Sequence, residues 1–535
     1  MNRAVLGRLL LAATVALATA LPAVGLAGGV AGAVTGSAVA STSADIVAGD
    51  VVADISALVA PAMEGRGALT AGLAKAGDYI AARFAAAGVR GAGEAGGYFQ
   101  TVEIPVPARA AQGTALSING EALRLGEDFV PAPGAPATRA LGPVVFAGYG
   151  IVVPGRHDDY AGIDVRGKLV ICLRYGPGYD PKTRTVRDPA FAMAVTVRRK
   201  IETAVGRGAV GIAFVDSEAP GLEMADLPAG ALVNPVSNIA SFHLRADAID
   251  RLLLAASGRR VASLRRTIDE TAASASFDLP ATADFRVQWS RSRVPSRNVI
   301  AFIEGSDPAL RDEVVAIGAH YDHLGLGDEG SSMDGAGAVH PGGDDNASGT
   351  AALLEIAEAF AGAASRPRRS ILFAAFTGEE KGMLGSAAVA ASSRRKLVAM
   401  INLDMVGRMR NDALEVGGAS TSPAWQPLVT QENVDRLALT FPQQVIPNSD
   451  HAPFLLRGIP SLFLFTGLHG DYHRVSDTGD KVNAEGVAKV ARLAFRLTRT
   501  LANRIDRPVF VAPVWTGNGP PAGAYGATTP AGRAP

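Results

Sequence analysis

The feature that most constrains this chain is a series of apolar runs of strand length, each followed by residues able to bind a cation. EVVAIGA (313–319) leads into His320, Asp322 and His323, and SILFAAF (370–376) into Glu379 and Glu380. VAMINL (398–403) leads into Asp404, and IPSLFLF (459–465) into a segment holding Asp471 and His473. The runs are nearly continuous rather than alternating, as a strand covered on both faces requires. RNVIAFIEG (297–305) reads the same way. Between them, ASGTAALLEIAEAFAGAA (347–364) puts Leu353, Ile356, Ala357 and Phe360 on one face of a helix. The expected fold class is therefore α/β: a mostly parallel central sheet flanked by helices, with ligands at the carboxyl ends of the strands.

A carboxylate after a strand is commonly a helix cap or a loop charge. Recurrence at one predicted edge is what carries weight. Six of the eight histidines fall between His320 and His473, and Asp344 and Asp345 stand just before the helix that opens near Ala347. FTGEEKG (376–382) sets two glutamates side by side at the end of a buried strand. They form either a solvated acidic turn or a pair with two different tasks.

Composition narrows the function classes. Lys plus Arg and Asp plus Glu balance at 51 each in 535 residues, so no basic excess suggests nucleic acid. The single cysteine, Cys172 in KLVICL, excludes an intrachain disulfide and reads as a buried strand position. Arg3 and Arg8 precede a long apolar stretch with no charge before Asp45, and Ala31-Gly32-Ala33 and Ala38-Val39-Ala40 offer small-x-small cleavage sites. Residues 1–40 read as a signal peptide, predicting a secreted or periplasmic protein with no stable membrane partner after cleavage. Leu73, Ala76, Ile80, Phe84 and Ala87 keep helical spacing, and YFQTVEIPV (98–106) reads as a strand. Short strands within 139–275, without clustered histidines, suggest an inserted module between 41–138 and 276–506. Residues 507–535, rich in Pro, Gly and Ala, read as a poorly ordered tail.

GAHYDHLG, GGDDNASGTAALLEIA, FTGEEKGMLGS, INLDMVGR and SDHAPFLLRGIPSLFLFTGLHGDYHRVSDT closely resemble, in order and approximate spacing, the M28 family of zinc exopeptidases. The resemblance runs from Ser296 to about Asn503. The segment from Ile55 to Val106 looks like the family's N-terminal part, and the block between resembles an inserted protease-associated (PA) domain. The family implies two zinc ions. His320 and Asp404 would bind one, Glu380 and His473 the other, and Asp345 would bridge them. Three carboxylates and a bridging hydroxide would neutralise two Zn²⁺. The resemblance makes Glu379 the general base, Asp322 the group that fixes the His320 tautomer, and Tyr472 a partner of the tetrahedral intermediate. It also implies a cis Asp345–Asn346 peptide. His323, His340, His451 and His469 read as pocket or structural residues, and Asp344 as a helix-start or hydrogen-bonding residue. The family's usual GADD is GGDD here, with Gly343 expected to change little. The implied activity is hydrolysis of peptide substrates from the N-terminus. Alternatives are a carboxypeptidase or dipeptidase, a one-zinc glutaminyl-cyclase-like acyltransferase, and a non-catalytic receptor-like homologue.

Overall fold

Four of the apolar runs lie side by side and parallel within one nine-stranded sheet, in the order Ser370–Phe376, Glu313–His320, Lys396–Leu403, Ser461–Phe465. The computed structural model describes residues 46–516, apart from 107–108, 133–134, 181–184, 217–238, 272, 291, 328–330 and 393–395. The expected signal peptide and the segment after 516 lie outside the described residues. Among the described residues, no helix is long and apolar enough to cross a membrane.

The sheet is mixed at its margins. Arg293–Ile303 joins Ser370–Phe376 antiparallel, and Phe99–Pro105 joins Arg293–Ile303 antiparallel. On the other side Ala413–Gly417 runs antiparallel to Ser461–Phe465. Every residue of Ser370–Phe376 is buried, as its continuous apolar run predicts. One face, with Ile317, Phe373 and Ile401, shares a core with the helices Ala48–Leu58, Ala71–Ala86, Gly349–Ala361 and Ala484–Asn503. Phe373 meets Phe84 and Phe360 there, with ring centroids 6.3 and 6.0 Å away. The opposite face, with Ala316, Phe376 and Met400, packs on Val389 and Phe454. Burial on both sides leaves the strand ends as the place where polar groups can gather. Register aligns those ends: His320 pairs with Phe376, and Leu403 with Leu464.

The turn into the Gly349–Ala361 helix is irregular and crowded. Gly342 has φ +60°, and a Cβ there would meet the Asp345 carbonyl oxygen at 2.2 Å and the His323 ring at 2.6 Å. The Asp345–Asn346 peptide is cis. A Cβ at Gly343 would lie 2.7 Å from the backbone of Thr478, so the GGDD variant is not neutral: alanine there would require that backbone to shift.

A second, eight-stranded sheet also has four parallel strands at its centre: Thr138–Phe146, Leu169–Leu173, Gly211–Asp216 and Ala240–Arg245. It reaches beyond residues 139–275, because Ala115–Ile118, Phe129–Pro131 and Phe277–Val287 also belong to it. Those pieces are short or alternate buried and exposed positions, and the apolar-run criterion does not detect them. The segment after Arg507 also differs from a loose tail at its start. Val511 donates its N–H to the Thr421 carbonyl at 2.8 Å, and Val514–Trp515 pairs with Gln444–Val445.

Candidate metal centre

Each central strand delivers one part of the site. His320 is the last residue of its strand, Asp404 follows Leu403 directly, and Glu379 and Glu380 follow Phe376 after a short turn. His473, at φ +55°, stands in the loop after Ser461–Phe465, and Asp345 in the turn before the Gly349–Ala361 helix. These side chains converge. His320 Nε2 lies 3.3 Å from Asp345 Oδ1 and 3.3 Å from Asp404 Oδ1. His473 Nε2 lies 3.3 Å from Asp345 Oδ2 and 3.5 Å from Glu380 Oε2. Asp345 therefore turns one oxygen to each imidazole.

Both imidazoles are oriented from behind. His320 Nδ1–H donates to the Asp322 carbonyl at 3.1 Å, and His473 Nδ1–H donates to the Ser331 carbonyl at 3.0 Å. This leaves the Nε2 lone pairs facing carboxylate oxygens. Such contacts repel unless a proton or a cation lies between them. Tetrahedral zinc, with bonds of about 2.0–2.1 Å, sets its ligand atoms roughly 3.3–3.4 Å apart, so the observed spacings suit it. Among the described residues, two groups of three candidate ligands bring donor atoms within 4.8 Å of one another: His320 with Asp345 and Asp404, and His323 with Asp345 and Glu380. The second group contains His323, which the sequence reading treats as a pocket residue. Three imidazoles thus face two positions.

Asp322 holds the site differently from expectation. The carbonyl of Asp322, not its carboxylate, fixes the His320 tautomer; the carboxylate stands 3.8 Å from the ring. That carboxylate instead accepts the N–H of Glu379 at 3.1 Å and of Glu380 at 3.4 Å, clamping the paired glutamates. Tyr472 stacks on His473, with centroids 3.8 Å apart and planes at 23°.

Several supporting residues escaped sequence reasoning. Ser449 donates to Asp404 Oδ2 at 2.6 Å, leaving Oδ1 toward His320. Asp477 Oδ2 accepts the N–H of both Asp344 and Asp345, at 3.0 and 3.1 Å, while Oδ1 pairs with Arg408 at 2.8 Å. Asp344, which the sequence does mark as a hydrogen-bonding residue, faces His469 Nε2 at 3.2 Å and accepts the Gly407 N–H at 2.6 Å. Arg66 is fully buried and donates to the carbonyls of Tyr321, Leu58, Pro341 and Gly342 at 2.7–2.8 Å. It ties the N-terminal segment to both ligand-bearing loops. The quoted SDH and SDT motifs contain Ser449 and Asp477, but spacing alone does not say what they touch.

The protein groups perturb one another strongly. Burial opposes charge on His320, yet Asp404, Glu379 and Asp345 override it and raise its pKa well above the usual value. His473 behaves alike: burial is overcome by Asp345 and Glu380, and its pKa rises to about 9. Burial would raise Asp345, but hydrogen bonds to His320 and His473 drive it well below the carboxylate range. Glu379 is raised well above its usual value, chiefly by burial, with Asp450, Glu380 and Asp404 adding to the rise against His320. Burial also pushes the fully buried Asp450 up to about 7. The cluster readily takes up positive charge and keeps one carboxyl, Glu379, basic.

Residues 298–498 match the model of Peptidase family M28. A probable leucine aminopeptidase of Arthroderma otae is 27% identical over 221 residues, covering 36% of this chain and 56% of the relative. A probable glutamate carboxypeptidase of Zea mays is 26% identical over 394 residues, covering 66% of this chain and 51% of the relative. The fold is similar to that of BSAP, a zinc aminopeptidase from Bacillus subtilis, at 19% identity and a TM-score of 0.50, over 88% of this chain and 98% of that one. Across the curated relatives it matches, the chain spans from 23% to 56% of their own length. Residues 298–498, which match the model of Peptidase family M28, are also the ones that carry the ligand-bearing sheet edge.

Proposed function

We propose that the protein is an exported dinuclear zinc aminopeptidase. The observation that carries this reading is Asp345, which presents Oδ1 to His320 and Oδ2 to His473 across two 3.3 Å contacts. His320 and Asp404 would hold one ion, Glu380 and His473 the other, with Asp345 between them. Bound zinc supplies Lewis acidity, which polarises a scissile carbonyl and makes water a better nucleophile near neutral pH.

The chain's own groups do the rest. Glu379 accepts the proton of the attacking water and returns it to the leaving amine. Burial raises its pKa, which makes it a stronger proton acceptor than an exposed carboxylate. Asp322 fixes Glu379 through the backbone, so its carboxylate is aimed without being tied to a metal. Tyr472 stacks on His473 and is assigned a hydrogen bond to the oxygen of the reacting carbonyl. A receptor-like role is disfavoured because every residue of the expected ligand set is present. The likeness to a probable glutamate carboxypeptidase favours a second reading, cleavage from the free carboxyl end.

The test is hydrolysis of an aminoacyl-p-nitroanilide panel by the protein lacking residues 1–40, with chelator and zinc add-back, beside Glu379→Ala. Zinc-dependent hydrolysis that disappears in the variant supports the proposal. Silence across the panel, with cleavage of N-blocked peptides, moves the assignment to a carboxypeptidase. Silence on both classes with two zinc ions bound rejects peptidase activity.

A further inference from the structure

Three imidazoles surround Asp345, and their contacts fall into two classes. His320 and His473 approach carboxylate oxygens at 3.3–3.5 Å, the edge lengths of a metal polyhedron. His323 Nδ1 approaches Glu380 Oε1 at 3.0 Å, the length of an N–H···O hydrogen bond, and Asp345 Oδ2 only at 3.8 Å. It also uses a different oxygen. Oε1 faces His323, while Oε2 faces His473.

The surroundings of His323 support a donor role. Its backbone N–H donates to the Arg66 carbonyl at 3.0 Å, and it forms an isolated bridge with Gly67. The ring is fully buried, and a side chain at Gly342 would collide with it at 2.6 Å. Among the described residues, its buried Nε2 has no hydrogen-bond partner. A buried bare lone pair is tolerated better than a buried N–H without an acceptor, so the hydrogen belongs on Nδ1, facing Glu380.

We infer that His323 is a positioning residue, not a ligand: its Nδ1–H holds Glu380 Oε1 so that Oε2 alone faces the metal position shared with Asp345 and His473. This inference rests on the dinuclear reading above. Without the donor, the Glu380 carboxylate can rotate or offer both oxygens, and the position loses its shape. Groups that orient metal ligands in this way typically account for about 10–100-fold in affinity.

The experiment measures zinc stoichiometry and affinity by competition with a chromophoric chelator, and the absorption bands of the cobalt(II)-substituted protein. It compares the wild type with His323→Leu and His323→Asn. Asparagine places an amide N–H near the former Nδ1, whereas leucine cannot donate. The expected result is two ions in the wild type, one of them bound 10–100-fold more weakly in His323→Leu, and near-wild-type affinity in His323→Asn. Cobalt bands in His323→Asn should match the wild type, since no imidazole ligand is lost. Wild-type affinity at both positions in His323→Leu overturns the inference. So does a His323→Asn protein that binds as weakly as His323→Leu with shifted cobalt bands, which would make His323 a ligand. If His323→Leu does not fold, His323→Asn alone decides by the same two readouts. A wild type that binds fewer than two ions removes the dinuclear reading first, and the inference with it.

Discussion

The nine-stranded and eight-stranded sheets each centre on four parallel strands, yet the charges buried near their carboxyl ends behave in opposite ways. Beyond Leu173 in the eight-stranded sheet, Lys200 is buried and donates to the carbonyls of Leu173, Arg174 and Tyr175 at 2.8, 2.6 and 2.5 Å. Beyond Phe146, Asp159 faces His157 Nε2 at 2.8 Å and accepts the N–H groups of Tyr149 and Ile151. These charges are matched by the chain's own backbone and side chains. Beyond the ends of the other sheet, three carboxylates, Asp345, Glu380 and Asp404, crowd the imidazoles of His320 and His473, which answer them only by taking up protons. Burial of charge is common to both. What marks a site is burial of charge whose partners in the chain do not neutralise it.

Replacing Asp345 tests that contrast most severely. Asp345→Asn removes the charge both imidazoles face, and should abolish zinc binding at both positions and hydrolysis with it. Its melting temperature in chelator should not fall, because a crowded acid is gone. A large drop in that melting temperature would mean that the cluster is structural, like Lys200, and would break the comparison. Next in size, Glu379→Gln should keep both ions but slow hydrolysis by about 10²–10⁴-fold, the usual contribution of a positioned base. Loss of zinc in that variant would make Glu379 a ligand.

The opposite substitution sharpens the other half. Lys200→Met leaves three carbonyls to find new donors, and each buried group left unsatisfied costs about 1–3 kcal/mol. The expected result is a protein destabilised in urea but with unchanged zinc content and turnover per folded molecule. Reduced zinc affinity would show that the eight-stranded sheet supports the metal centre.

Much of the contrast is legible in the sequence, for a physical reason. A strand buried on both faces must be continuously apolar, so SILFAAF or VAMINL announces itself, and the next polar residues must lie at the sheet edge. The same logic locates Glu379, Glu380 and Asp404. It fails where contacts are made across long separations. Arg66 binds a carbonyl 276 residues away, and Asp477 binds N–H groups 132 and 133 residues away. Neither leaves a local pattern. The family resemblance gives Asp322 as the partner of His320, but its carboxylate serves the two glutamates instead, a direction that spacing cannot encode. The edges of the second sheet were missed because short, half-exposed strands lack a distinctive run.

The smallest expected effect concerns a third kind of buried charge, on the helix that leads away from the site. Glu355 lies on Gly349–Ala361, 4% exposed, with Arg83 at 3.2 Å; Arg83 also pairs with the fully buried Asp54 at 3.0 Å. Burial raises the Glu355 carboxyl from 4.5 to about 8, with Asp54 and Asp50 adding to the rise and Arg83 opposing it. Burial likewise raises Asp54, against Tyr79 and Arg83. A carboxyl with its folded pKa above its unfolded one stabilises the fold fully below the unfolded value. That contribution is lost as pH rises toward the folded value, at up to about 1.4 kcal/mol per pH unit. Wild-type stability from this group should therefore decline between about pH 4.5 and 8. Glu355→Gln keeps an oxygen for Arg83 but carries no proton to lose. It should match the wild type near the lower limit and be more stable above the upper one. Urea unfolding at both pH values checks this, and an unchanged slope in the variant would move the titration to Asp54. Here an excess buried acid is neutralised by a proton, and among the described residues no group of three candidate metal ligands includes it. Asp345, just before the same helix, goes the other way: against burial, its hydrogen bonds to His320 and His473 hold it well below the carboxylate range, so it keeps its charge.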